Sequence, residues 1–152
     1  MRQESKDEYF MELALEEGKK ALAEEEVPVG AVLVKGNKII STGHNSKEAS
    51  NDPTAHAEIL AIKEASQKLR SWRLTDTTLY VTKEPCPMCA GAIVQARIEK
   101  LVFGANDDKA GAAGTIFNLL QDKRLNHQVE ITSGVRQKEC QELLQKFFSK
   151  LR

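Results

Sequence analysis

The sequence has no long apolar run. Its 152 residues contain no stretch of about 20 consecutive apolar side chains, the length that a membrane-spanning helix needs. Residues 1–8 also contain no apolar segment of the kind that forms the core of a secretory signal. The first absence excludes a transmembrane helix, and the second predicts that residues 1–8 are not a secretory signal.

An excess of either charge is also missing. The chain carries 22 basic and 22 acidic residues, for a net charge of +0, so its global charge does not favour a nucleic-acid partner. The distribution is uneven, since residues 143–152 carry Lys146, Lys150 and Arg152 and no acid. A local basic edge can bind phosphates on a neutral protein, although a solvated helix face explains the same pattern.

Cysteine is scarce, and the three cysteines form an odd set. This number does not favour a disulfide framework. Cys86 and Cys89 stand in a C-x-x-C pattern, and Cys140 falls at an apolar position of a helical pattern, where we expect a buried, small hydrophobic side chain. The cysteine pattern favours metal binding in a reducing compartment, and the expected location is the cytoplasm.

The periodicity of apolar residues predicts one α/β domain over residues 1–152, because strands alternate with helices and no linker or repeat interrupts them. Asp52 is expected to cap a helix that Pro53 opens. A Gly36-Asn37 turn predicts a hairpin, so the five-stranded sheet should be mixed. The predicted strands are 29–34, 38–43, 78–82, 101–105 and 129–132, and the predicted helices are 8–23, 53–69, 87–97, 116–121 and 136–150.

A metal site is predicted from two short motifs. The first reads HAE and comprises His56, Ala57 and Glu58; the second reads PCPMC and contains Cys86 and Cys89. One imidazole and two thiolates can hold zinc and leave the fourth position open, as catalytic zinc sites do. Both motifs fall at predicted helix starts, whose partial positive charge favours thiolates. His44 and His127 have no ligand spacing and are not assigned to the metal.

Glu58 is the expected proton carrier, because it stands beside the ligands without being one of them. A bound zinc lowers the pKa of water to about 7, and the glutamate then moves protons during attack on an amine-bearing aromatic carbon. This arrangement is the signature of zinc-dependent nucleobase deaminases. His56 and Glu58 are two residues apart and would lie on opposite sides of a helix. They converge only if the pocket lies over the helix end.

The chain resembles the bacterial tRNA-specific adenosine deaminases over almost its whole length. The zinc motifs alone mark the wider cytidine deaminase-like superfamily of zinc hydrolases, and the additional segments indicate the tRNA enzymes. Lys83 is a departure, since the family more often has an apolar residue there. The matching segments are 26–31, 43–45, 52–58, 79–82, 84–92, 102–105, 125–127 and the Phe147-Phe148 pair.

The resemblance implies a fold, an activity and partners. The fold would be a three-layer α/β/α arrangement around a five-stranded sheet. The activity would convert adenosine to inosine at the wobble position of an arginine tRNA anticodon. The implied cofactor is one Zn²⁺ per subunit, and the implied partners are the tRNA anticodon stem-loop and a second copy of the chain. No membrane or other protein partner is implied.

The resemblance also assigns roles to individual residues. It implies that His56, Cys86 and Cys89 bind zinc and that Glu58 carries protons. The remaining assignments are Asn45 and the Ala57 backbone for the base, Val29 for an apolar wall, Asp107 for the sugar region, and Lys146, Phe148 and Lys150 for RNA. Asn45 could equally cap the hairpin, and a solvated turn explains Asp107 as well. Of the adjacent Phe147 and Phe148, one is expected in the core and only one at the RNA.

Three other interpretations remain open. A guanine deaminase that acts on the free base belongs to the same superfamily and carries the same two motifs. A non-catalytic RNA-binding subunit could keep zinc as a structural element, although such a subunit has no use for Glu58. The cysteines could also form a redox or structural C-x-x-C module, in which case His56 would have no role.

Overall fold

The computed structural model describes residues 2–151. Five strands form one sheet with the order β2-β1-β3-β4-β5, which confirms the predicted mixed five-stranded sheet. The elements are α1 (Gln3–Ala23), β1 (Gly30–Lys35), β2 (Lys38–His44), α2 (Lys47–Ser50), α3 (Ala57–Leu69), β3 (Thr77–Lys83), α4 (Pro87–Gln95), β4 (Lys100–Ala105), β5 (Glu130–Thr132) and α5 (Gln137–Lys150).

The sheet changes from antiparallel to parallel at its central strand, β3. Strands β1 and β2 form the predicted hairpin, in which Gly36 and Asn37 both have positive φ, as a tight two-residue turn requires. Strand β1 also pairs antiparallel with β3, whereas β3, β4 and β5 are parallel. The C-terminal ends of β2, β3 and β4 and the N-terminal end of β1 therefore lie at the same edge of the sheet.

Helices cover both faces of the sheet. Helices α1 and α5 contact each other and pack on one face, and α3 and α4 contact each other on the opposite face. Tyr80 of β3 shows which side chains face α1, because its hydroxyl donates to Asp7 at 2.8 Å and its ring lies 5.2 Å from Phe10. Side chains alternate along a strand, so Leu79 and Val81 face α3 and α4. The predicted three layers are confirmed.

Two predicted helices are wrong. Helix α3 begins at Ala57 instead of Pro53, because Asp52 caps a turn: its Oδ1 accepts from both the N–H and the hydroxyl of Thr54. Residues 116–121 form no helix, since the N–H groups of Ile116 and Phe117 both donate to the carbonyl of Gly111. Helix α1 also begins before the predicted residue 8. Within residues 2–151, no helix combines the length and apolar character that crossing a bilayer requires.

A close backbone contact seats the N-terminus of α3 on the sheet. A Cβ atom at Gly43 of β2 would lie 2.5 Å from the carbonyl oxygen of Ala57, which is closer than the Cβ atoms of real side chains approach another heavy atom. The absence of a side chain therefore places the first turn of α3 directly beside the end of β2. Cys140 is fully buried in α5, as predicted.

Candidate active site

A cavity of about 160 Å³ opens at the edge of the sheet where the four strand ends meet. Val29 precedes β1, Asn45 follows β2, Lys83 ends β3 and Asp107 follows β4. In open α/β sheets, ligands bind at the carboxyl ends of the parallel strands. The residues that line the cavity are Val27, Val29, Asn45, Lys47, His56, Glu58, Lys83, Glu84, Cys86 and Asp107.

His56, Cys86 and Cys89 form a compact cluster at this cavity. His56 occupies the N-cap position of α3, and Cys86 occupies that of α4, which Pro87 opens; neither side chain bonds to its helix end and both are free to face the cavity. The Nδ1 atom of His56 lies 3.4 Å from the Sγ of Cys89 and 3.7 Å from the Sγ of Cys86. The three donor atoms all lie within 4.8 Å of one another.

The cluster has the dimensions of a zinc site. Tetrahedral zinc lies about 2.3 Å from a thiolate sulfur and about 2.05 Å from an imidazole nitrogen, which places the two kinds of donor about 3.6 Å apart. The two distances from the His56 nitrogen, 3.4 Å and 3.7 Å, lie on either side of this value. Imidazole and thiolate are also donors that suit zinc. The residues present therefore fit zinc in both spacing and chemistry.

The start of α3 at Ala57 explains how His56 and Glu58 reach the same cavity. His56 has extended backbone angles (φ −83°, ψ 152°) and lies before the helix, so the opposite-sides argument for two helical residues does not apply. Glu58 is the second residue of the helix, and its side chain is buried. The cavity therefore lies over the N-terminal end of α3, as the sequence required.

Burial and mutual hydrogen bonds shift the pKa values of the clustered groups. Desolvation raises the pKa of Glu58 to about 7. A hydrogen bond from Cys89, supported by one from His56, lowers the pKa of Cys86 to about 3, whereas the contact with Cys86 and burial raise the pKa of Cys89. The bond to Cys86 also raises the pKa of His56. Because zinc requires deprotonated thiols and a neutral imidazole, its binding displaces protons from this cluster.

A hydrogen bond joins Asn45, which lines the cavity, to Ala57 at the start of α3. The side-chain Oδ1 of Asn45 accepts the backbone N–H of Ala57 at 2.8 Å. This bond fixes the orientation of the amide, so the Nδ2 group is the donor that remains for a ligand. The carbonyl of Val29 accepts the N–H of Asn45 at 3.2 Å, and the buried Val29 side chain lines the cavity.

Glu84 organises the loop that carries Asp107, a role that the sequence did not reveal. Its buried carboxylate accepts the N–H groups of Asp107, Ala113 and Thr115 and the hydroxyl of Thr115. A Cβ at Gly111 would lie 2.4 Å from the carboxylate, so the glycine lets the loop close around it. The signal in the sequence was an acid at the end of a buried strand, two residues before Cys86.

Replacing Glu84 by Gln is expected to lower the free energy of unfolding by about 3 kcal/mol, because bonds to a charged acceptor each contribute about 1.5–3 kcal/mol. The amide NH₂ of glutamine would also face backbone N–H groups that have no other acceptor. Urea denaturation of both proteins measures the difference. The control is Glu99→Gln, which changes an exposed glutamate. Equal losses in the two variants would contradict the role of Glu84.

Asp107 faces the cavity with both carboxylate oxygens engaged. Its Oδ1 accepts the N–H groups of Lys109 and Ala110 at 3.0 Å and 3.2 Å, and its Oδ2 lies 3.2 Å from the Nζ of Lys83. Partial burial acts to raise the pKa of Asp107, but the Lys109 N–H and the charge of Lys83 lower it below its usual range. Asp107 is therefore an ordered carboxylate.

The predicted RNA-binding residues lie on two different faces of α5. Phe148 is exposed and lines a groove with Lys109, which comes from the loop of Asp107. Lys146 and Lys150 are four residues apart and line a neighbouring groove. Phe147 is half-buried, and Arg152 lies outside the described residues.

The two remaining histidines have partners outside the cluster. His44 contacts the carboxylates of Glu17 and Glu24 at 3.1 Å and 2.9 Å, and His127 bonds the carbonyl of Ile98 at 2.7 Å. Neither histidine belongs to the group of three donors, which in residues 2–151 consists of His56, Cys86 and Cys89.

Comparison with known proteins places the chain in a family. The MafB19-like deaminase family matches residues 4–152. The tRNA-specific adenosine deaminase of Bacillus subtilis is 53% identical over 148 residues, which cover 97% of this chain and 92% of that protein. The tRNA-specific adenosine deaminase of Haemophilus influenzae is 50% identical over 147 residues, covering 96% of this chain and 85% of that protein.

Solved structures agree with the sequence relatives. A structure from a study of A-to-I editing by tRNA:A34 deaminases superimposes with a TM-score of 0.86 at 43% identity and covers 89% of this chain and 98% of that one. Guanine deaminase from Bacillus subtilis gives a TM-score of 0.65 at 40% identity, over 76% of this chain and 71% of that one. The resemblance predicted from the sequence is thus confirmed: the chain belongs to the MafB19-like deaminase family, together with the tRNA-specific adenosine deaminases.

Proposed function

We propose that the protein is a zinc-dependent tRNA adenosine deaminase that forms inosine at the wobble position of an arginine tRNA anticodon. The observation that carries this proposal is the cluster of His56, Cys86 and Cys89 beside the buried Glu58. The relatives at 53% and 50% identity, which are tRNA-specific adenosine deaminases, support RNA as the substrate. Because two of the three cysteines are predicted metal ligands, which favours a reducing compartment, we expect the enzyme in the cytoplasm.

The three clustered residues would bind the metal, and Glu58 would transfer protons. His56, Cys86 and Cys89 would hold zinc, which supplies a Lewis acid that activates water at neutral pH. Glu58 takes the two protons of the attacking water one after the other, delivering the first to the ring nitrogen and the second to the amine, which leaves as ammonia while the water oxygen remains as the carbonyl. Its burial keeps the carboxylate away from bulk solvent, so a proton that it accepts stays available for the leaving group.

The cavity walls orient the base. The Nδ2 group of Asn45 would donate to an acceptor nitrogen on the purine edge, while its Oδ1 stays bound to the N–H of Ala57. Val29 would supply an apolar surface against the ring, and the Asp107 carboxylate would accept from a sugar hydroxyl. A base enters such a cavity only when it leaves its stack, and an anticodon loop offers bases that are already unpaired.

A second copy of the chain would cover the exposed face of α4. This helix is apolar nearly throughout, yet Met88 is exposed and Gly91 and Ala92 are only half-buried. A Cβ at Gly91 would meet no atom within 4 Å. An apolar patch on the helix that carries the two cysteines fits a partner surface, which supports the proposed homodimer. Contacts to the anticodon stem-loop would then come from both subunits.

Guanine deaminase is the second candidate, because a guanine deaminase is 40% identical over 76% of this chain. The two activities need different substrates, so one assay separates them. A non-catalytic RNA-binding subunit is less consistent with the site, since a structural zinc gives no reason to bury a glutamate beside the metal ligands.

The deciding experiment offers the protein two substrates. One is an arginine anticodon stem-loop with adenosine at the wobble position, together with a matched stem-loop in which that adenosine occupies a neighbouring loop position. The other is free guanine. We expect inosine only at the wobble position, and loss of activity with a chelator that zinc restores. Ammonia released from guanine, with no inosine in either RNA, would overturn the proposal.

A further inference from the structure

Lys83 stands at a position that the strand pattern assigns to an apolar residue. It ends β3 on the face that Leu79 and Val81 occupy, because side chains alternate along the strand. Leu79 and Val81 are completely buried in the core. Lys83 continues their row beyond the core and into the cavity wall, where its side chain is 27% exposed. The methylene stem of a lysine can lie along such an apolar row while its ammonium group reaches the polar cavity wall.

Among the residues that the structure describes, the ammonium group of Lys83 has one ionic partner, a carboxylate at the cavity. Its Nζ lies 3.2 Å from the Oδ2 of Asp107. The same carboxylate is fixed from its other oxygen by the N–H groups of Lys109 and Ala110. An ammonium group has three donors. The ion pair with Asp107 uses one, so donors remain for a ligand at the mouth.

The charges around Lys83 show what kind of ligand suits it. The other charged side chains at the cavity are Lys47, Glu58, Glu84 and Asp107. Glu84 is enclosed by the loop that it organises, and Glu58 is buried. Asp107 is the carboxylate left at the mouth, and it would repel a phosphate if Lys83 did not lie against it. A cation in this position favours a ligand with negative charge outside the base.

We propose that Lys83 is a specificity-determining residue that binds a phosphate group flanking the target nucleotide, and that Asp107 holds it in place. The inference rests on the proposed RNA substrate and extends it. Lys83 would favour a nucleotide within a polynucleotide over a free base, which carries no phosphate. The lysine acts on binding and takes no part in proton transfer.

Binding measurements as a function of salt test this role. A labelled anticodon stem-loop is titrated with protein in the Glu58→Gln background, which prevents conversion of the RNA, at several KCl concentrations. Lys83→Met is expected to weaken binding about 10-fold at low salt and to reduce the slope of log Kd against log salt by about 0.7, the value for one phosphate contact to a single strand. Lys83→Arg keeps the charge and should retain most of the affinity.

The matched control is Lys100→Met. Lys100 also stands at the end of a strand and pairs with a carboxylate, that of Glu130 at 3.6 Å, but it begins β4 at the opposite edge of the sheet. This variant should leave both affinity and salt slope unchanged. If Lys83→Met weakens binding with the wild-type slope, the lysine only holds the loop, and the inference fails. Affinity and slope both equal to wild type would also overturn it.

The test of Lys83 and the test of the proposed function have separate readouts. Inosine formation by the unsubstituted protein tests the activity, and the salt slope tests Lys83. In proteins that retain Glu58, Lys83→Met should raise KM for the stem-loop while kcat stays within about twofold, since a phosphate contact contributes equally to ground and transition states. A protein that forms inosine and has the same slope with and without Lys83 refutes this inference alone.

Discussion

Replacing Glu58 by Gln is expected to lower the rate of deamination by about 10²- to 10⁴-fold, the contribution that general acid–base catalysis makes. The glutamine keeps the size of the side chain but can neither take a proton from water nor deliver one to the amine. Glu58 is not among the three donor atoms of the cluster, so the variant should keep its zinc. Single-turnover inosine formation and metal analysis of the same preparation measure both effects.

The control for this variant is Glu64→Gln in the same helix. Glu64 lies on the outer side of α3, where its carboxylate pairs with Lys68 at 2.9 Å, and its replacement should leave the rate unchanged. Full activity of Glu58→Gln with zinc bound would refute the role of Glu58. A variant that loses zinc together with activity would instead show that Glu58 is needed for the metal.

The motifs could be read from the sequence because their geometry is local. Cys86 and Cys89 are separated by one turn of a helix that Pro87 opens, so their spacing fixes their relation whatever the rest of the chain does. Pairing with His56 could be anticipated because an HAE motif followed by PCPMC is together the signature of zinc-dependent nucleobase deaminases, and both motifs fall at helix starts. The chemistry of the site was therefore predictable before its exact geometry.

What the sequence missed depends on contacts that are distant along the chain or on competition between local structures. Asp52 followed by Pro53 fits a helix cap and a turn equally well, and the bonds from Thr54 decided for the turn. The role of Glu84 requires Thr115, and that of Lys83 requires Asp107. No spacing rule connects these pairs, because the loop after β4 has no regular period.

The position of His56 shows how such an error affects the site. A helix that began at Pro53 would place His56 within its first turn, with Glu58 turned away from it. The true start at Ala57 leaves His56 extended, so that its ring reaches over the helix end toward the thiols. Because the helix starts later than predicted, His56 and Glu58 are not held on opposite sides of it, and both side chains can face the same cavity.

Replacing Cys89 by Ala is expected to abolish stoichiometric zinc binding and, with it, activity. Cys89 is completely buried, and its Sγ lies 3.4 Å from the nitrogen of His56, so the substitution removes one of the three donor atoms of the cluster. Loss of an outer-shell partner of a metal ligand costs about 10- to 100-fold in metal affinity, and loss of the ligand itself should cost more. Metal analysis after dialysis should fall from about one zinc per chain to nearly none.

The third cysteine provides the matched control, because Cys140→Ala makes the same chemical change at a position that is equally buried. Cys140 of α5 packs against Gly104 of β4 and does not belong to the cluster. Since a ligand that binds only the folded state stabilises it, a chelator should lower the unfolding temperature of wild type and of Cys140→Ala but not that of Cys89→Ala. Equal zinc content in the two alanine variants would show that the three donor atoms do not form the metal site, and the mechanism that depends on them would fail.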